Sequence, residues 1–103
     1  MPGASILGRL PDGAVAYRRT PIFDEHTIPS ALRHEHRTKP DVWGVITVLQ
    51  GKLRYRSLDP VFERLLTDAT PMVVAPGQPH EVEPDGRVRF FVEFYRAGGE
   101  HLG

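Results

Sequence analysis

Apolar and β-branched residues in this chain come in short runs closed by turn residues, and no segment holds a helical period. Turn signals recur roughly every eight to twelve positions, which is the rhythm of an all-β chain. Ala14 to Thr20 forms the first run, between Pro11-Asp12-Gly13 and Pro21. Trp43 to Gln50 is β-branched and apolar on both faces, as a central strand requires. Gly51 then turns the chain into Lys52 to Arg56, whose alternation puts Leu53 and Tyr55 inside and three cations outside. Pro60 to Leu66 reads as a strand or a helical turn, and a strand fits its neighbours better. Met72 to Ala75 ends at Pro76-Gly77, and His80 to Glu83 ends at Pro84-Asp85-Gly86. Arg87 to Tyr95 alternates, with Val88, Phe90, Val92 and Phe94 on one face. The expected fold is all-β: an antiparallel β-barrel or double-stranded jelly roll of about eight strands.

One domain of 103 residues, core about 14–96, accommodates these runs. A chain this size buries a little over 60% of its unfolded surface, enough for one modest core. The segments 1–10 and 97–103 read as flexible tails. Lys+Arg and Asp+Glu balance at 13 each, with no basic stripe, so nucleic acid is not an expected partner. No apolar run approaches the length of a membrane span, and the first residues carry no signal-peptide pattern. A cytoplasmic location follows by default. Without cysteine, disulfides and thiolate metal sites are excluded, so a metal must use His, carboxylate or water.

Three of the five histidines fall in two places, His34-Glu35-His36 and Pro76-Gly77-Gln78-Pro79-His80. On a strand, residues i and i+2 share a face, so His34 and His36 can aim at one point. The rigid Pro-Gly-Gln-Pro turn fixes the direction of His80. If the fold brings the three together, they make a nitrogen set suited to a divalent metal such as Zn, Ni or Fe. The alternative is ordinary: a charged strand end beside Arg33, Arg37 and Lys39, and a turn-capping histidine.

The two clusters resemble the two motifs of the cupins. His36 to Leu53, HRTKPDVWGVITVLQGKL, is similar to the signature of the TehB/YeaR-like small cupins. Thr20-Pro21-Ile22-Phe23, Pro79-His80-Glu81-Val82-Glu83 and Val92-Glu93-Phe94-Tyr95 resemble the family's entry and closing motifs, so the likeness runs over about residues 17–96. The resemblance implies a cupin-type barrel. It also carries departures. Asp41-Val42 stands for the usual Gly-Thr, Pro79 for an aromatic residue, and His34 for a carboxylate or basic residue. The common cupin glutamate ligand falls at Gly44 and is missing.

Other residues enter as additional metal or pocket candidates. Glu83 is one, but strand parity turns it outward when His80 and Val82 face inward. Glu93 shares a face with Phe91 and Tyr95, and reads as pocket lining or as an exposed residue. Trp43 and Tyr55 read as pocket walls or core. Three functions stay open. The first is a metallo-cupin that binds or transforms a small molecule or oxyanion. The second is a non-catalytic sensor, for which the family's association with tellurite resistance supplies a stress context. The third is a metal-free dimerisation module. A homodimer is expected under all three. No GxGxG-type loop is present, so methyl transfer by this chain alone is not expected.

Overall fold

The computed structural model describes residues 8–98, so the outer parts of both expected tails, 1–7 and 99–103, lie outside the described residues. The strands are β1 (Val15–Arg19), β2 (Phe23–Asp24), β3 (His36–Arg37), β4 (Trp43–Leu58), β5 (Val61–Leu66), β6 (Met72–Val74) and β7 (Pro79–Arg96). A single turn of 3-10 helix, Ser30–Arg33, separates β2 from β3. All strands join one antiparallel sheet whose path runs β1-β7-β4-β5, with β2 and β3 on β7 and β6 on β4.

Two long strands make the spine. β4 and β7 pair from Trp43↔Tyr95 to Ser57↔His80, and each combines two runs that the sequence pattern separates. The expected breaks, Gly51 on β4 and Pro84-Asp85-Gly86 on β7, are kinks inside continuous strands. The register shifts between Gly51 and Leu53, where β7 carries its extra residues. Gly51 has φ +81°, and a Cβ there would meet the backbone carbonyl of Arg87. Only glycine allows that close approach.

The kink folds the sheet on itself. In a straight strand Val82 and Phe94 would stand roughly 40 Å apart at about 3.3 Å per residue. Both instead line one cavity. The two half-sheets bury a shared core of Ile46, Val48, Leu53, Tyr55, Leu66, Val74, Val82, Val88 and Phe90. Leu53, Tyr55, Leu66 and Phe90 are fully buried, and each such side chain contributes about 1.5–3 kcal/mol by leaving water. The result is an all-β, antiparallel, barrel-like fold. Of the inward positions read from alternation, Leu53, Tyr55, Val88, Phe90 and Val92 are buried, and Phe94 is half-buried against the core.

On the outer face Arg56 of β4 bridges both neighbours. Its guanidinium donates to Glu63 of β5 at 2.9 Å and to Glu81 of β7 at 2.7 Å. These are directly opposed cross-strand partners, and the pairing reinforces a register that burial already sets. Among the described residues no helix is long and apolar enough to cross a membrane.

Candidate functional site

One cavity of about 300 Å³ opens between the folded halves of the sheet. Its wall is mostly apolar, with Phe23, Leu32, Ile46, Val82, Phe90 and Phe94 among the side chains that form it. The polar members are Arg18, Thr20, His36, Thr38 and His80. Gly44 also lines it, so the position at which a cupin glutamate was expected presents no side chain to the cavity.

Sheet register brings the histidines together. His36 on β3 lies directly opposite His80 on β7, and His80 lies opposite Ser57 on β4. The two imidazoles meet edge to face, with ring centroids 5.3 Å apart. Tyr55 lies on the other side of His80, its ring stacked at 5.5 Å and tilted by 20°. His80 is therefore held between two rings, 4% exposed. Its Nδ1 lies 2.9 Å from the Gln78 carbonyl. A carbonyl only accepts, so Nδ1 carries the proton and Nε2 keeps its lone pair. Gln78 is fixed in turn. It accepts from the Ala75 amide and donates to the buried Ser57 hydroxyl. The Pro-Gly-Gln-Pro turn thus sets the tautomer of His80 as well as its direction.

Burial lowers the His80 pKa from its ordinary value. The Gln78 hydrogen bond opposes this, and the nearby His36 adds to it. Burial alone lowers His36. Both imidazoles are neutral at pH 7. His36 Nδ1 and the Tyr55 hydroxyl are buried without a hydrogen-bond partner among the described residues. Burial pushes the Tyr55 hydroxyl up to about 12, so it stays protonated.

The other expected site residues lie elsewhere. His34 is exposed and outside the cavity. It caps the 3-10 turn, and the chain bends through His34 and Glu35 before β3 begins at His36. The i, i+2 face-sharing rule applies only within a strand, so His34 does not join the pair. Glu83 is exposed opposite Arg54, as strand parity requires. Glu93 lies on the face away from the cavity, bonded to Arg19 at 3.2 Å and to the Tyr95 hydroxyl at 3.1 Å. Trp43 shares that parity and lines a neighbouring surface depression with Tyr17, Arg18 and Lys39. Tyr55 backs His80 rather than walling the cavity. Among the described residues, no group of three His, Asp or Glu side chains is clustered closely enough to hold a metal ion.

Three polar cavity residues, Arg18, Thr20 and Thr38, are not marked by the sequence pattern. Thr38 is buried and donates to the Ala75 carbonyl at 2.7 Å, which ties β3 to the turn that carries His80. It sits in the stretch that resembles the family signature, and its burial was the missing information. Arg18 lies in the first strand-like run, and its facing depends on a register that the run does not reveal.

Comparison with known proteins agrees with this architecture. The TehB-like domain family matches residues 18–92. A protein of Haemophilus influenzae named as the probable S-adenosyl-L-methionine-dependent methyltransferase TehB is 31% identical over 74 residues. That alignment takes in 67% of this chain and 26% of the relative, so the chain spans about a quarter of that relative's length. The crystal structure of TehB from Haemophilus influenzae superposes with a TM-score of 0.79 at 26% identity, covering 85% of this chain and 33% of that one. A protein from Escherichia coli K12 superposes with a TM-score of 0.78 over 88% of this chain and 98% of its own. At 22% identity that likeness concerns the fold alone.

Proposed function

Since this chain belongs to the TehB-like domain family, we propose that it is a cupin-type binding domain holding a small molecule in the cavity against His36 and His80. The observation that carries the reading is a mostly apolar cavity of about 300 Å³ with a neutral, oriented imidazole pair in its wall. A pocket of this size and character, apolar with a few convergent polar groups, suits a small organic ligand. The Nε2 lone pair of His80 can accept a hydrogen bond from a ligand hydroxyl or N–H, and the lowered pKa values keep it available at pH 7. The apolar wall excludes water around that bond and strengthens it. Binding without turnover is the form we favour, since among the described residues no carboxylate lines the cavity and the Thr20 and Thr38 hydroxyls are engaged with the backbone. A stress role of the tellurite-resistance kind is proposed on kinship with TehB alone. Cytoplasmic residence and a homodimer belong to the same proposal. Cell fractionation and light scattering on the purified chain check them.

A second reading keeps the divalent metal. The unpartnered Nδ1 of His36 and the Nε2 lone pair of His80 favour it. Two imidazoles fall short of the three protein ligands of a catalytic zinc site, so the ligand or water would have to complete the shell. In that case the ion would supply Lewis-acid polarisation of an oxygen ligand. His36 and His80 would hold it.

Amide NMR with a fragment library, on untagged protein assayed for metal, tests both readings. Shifts confined to residues around His36 and His80, and lost in His36→Ala, are expected. An absence of fragment binding at this cavity would defeat the small-molecule reading. Stoichiometric metal that disappears with His36→Ala would favour the second reading over the first.

A further inference from the structure

A bulge on β1 brings a cation onto the cavity face. β1 pairs with β7 as Val15↔Arg96 and Ala16↔Tyr95, then shifts, so that Arg18 faces Phe94 and Arg19 faces Glu93. Unbroken pairing would set Tyr17 opposite Phe94 and Arg18 opposite Glu93. Phe94 lines the cavity, whereas Glu93 lies on the other face. The extra residue at Tyr17 therefore reverses the parity and moves Arg18 inward, one of the known uses of a bulge beside a functional site.

The two adjacent arginines then have different tasks. Arg19 is paired with Glu93 at 3.2 Å and stacks over Phe91 at 4.4 Å. Arg37, nearby on β3, is held by Glu35 and the Gly77 carbonyl. Arg18 lines the cavity and forms no salt bridge among the described residues. No carboxylate lines the cavity to satisfy it. A guanidinium presents a planar fork that matches a carboxylate in two hydrogen bonds. A bare inorganic oxyanion would exchange its hydration for a mostly apolar wall and gain one cation at the rim, a poor trade. An acid with an apolar body keeps its charge at the rim and fills the wall with its carbon.

We propose that Arg18 sets the ligand's charge, and that the ligand class is a small organic acid with an apolar body against Phe23, Phe90 and Phe94 and a carboxylate at Arg18. This rests on the cavity being a small-molecule site. It goes further by fixing the ligand's charge and the residue that reads it.

Titration calorimetry with matched pairs, benzoate against benzamide and hexanoate against hexanamide, separates the two claims. On the unmodified chain each acid is expected to bind about tenfold more tightly than its neutral amide, as one charge-assisted contact allows. Arg18→Gln should remove that preference by weakening the acid far more than the amide, while Arg18→Lys should retain part of it. Arg18 is exposed, so neither substitution removes buried packing. Equal binding of acid and amide, or a preference that survives Arg18→Gln, overturns the proposal while the cavity reading stands. Binding of none of the four compounds overturns the cavity reading and this proposal together. Sulfate binding as tightly as benzoate, and lost in Arg18→Gln, overturns the organic-acid class in favour of an inorganic oxyanion.

Discussion

Solvation favours the neutral forms of His36 and His80. A buried imidazolium loses hydration that the apolar wall cannot return, so both pKa values fall below 6.5. Stability then depends on pH with a definite sign. The unfolded chain binds protons near 6.5 while the folded chain resists them. The stability is therefore present in full above about pH 6.5 and is lost as pH falls through the folded-state values. Asp24 and Glu25 act in the same direction, but their carboxylates lie below the ordinary acid range because backbone amides of His26 and Val88 hold them ionised. Their contribution is lost at lower pH, so the two windows separate. Urea denaturation from pH 8 to pH 5 should show a plateau and then a decline below about pH 6.5. In a His36→Asn, His80→Asn double variant the decline in that window should vanish, and a decline of undiminished slope would contradict the assignment. At this scale the sequence singled out His36 and His80 as candidates. It did not identify Arg18, whose direction depends on an insertion visible only when β1 is laid against β7.

The elements show how turn residues can mislead. Gly51 and Pro84-Asp85-Gly86 carry strong turn signals, and each marks a kink in a strand that continues through it. A local signal reports that the backbone departs from regular pairing. It does not report that the partner strand bends in step and keeps the ladder intact. Gly51→Ala would combine a left-handed φ with a Cβ driven into the Arg87 carbonyl. Gly77 shares the positive φ, at +70°, but a Cβ there meets nothing within 4 Å. Gly77→Ala should therefore cost about 1–2 kcal/mol, the conformational cost alone. Gly51→Ala should cost upwards of about 4 kcal/mol, in the exceptional range for a single substitution, or prevent folding. Equal costs by chemical denaturation would show that the kink relaxes easily. His34 illustrates the converse error. The HxH spacing predicted a shared strand face, but the 3-10 turn at Ser30–Arg33 delays the strand until His36.

For the whole molecule, the core and the cavity are two sides of the same wall. Phe90 is fully buried, packs on Phe23 with ring centroids 5.6 Å apart, and also borders the cavity. Phe90→Ala should cost about 3–5 kcal/mol, the range for a large core truncation. Fragments larger than those accepted by the unmodified chain should then bind, provided the variant still folds at low temperature. A loss below about 1 kcal/mol would mean that the two half-sheets close over the gap. The alternation of apolar residues and the spacing of turn residues by themselves pointed to an all-β fold and to most of its inward residues, because burial of one strand face is written at period two. The spacing and the Pro-Gly-Gln-Pro turn also marked His36 and His80 as a candidate pair. Tertiary structure alone decided that the two long strands fold over, that His34 stays outside, and that Arg18 turns in. Each of these depends on register between segments far apart in the chain. Register is set by pairing and bulges across the sheet, and no local pattern carries it.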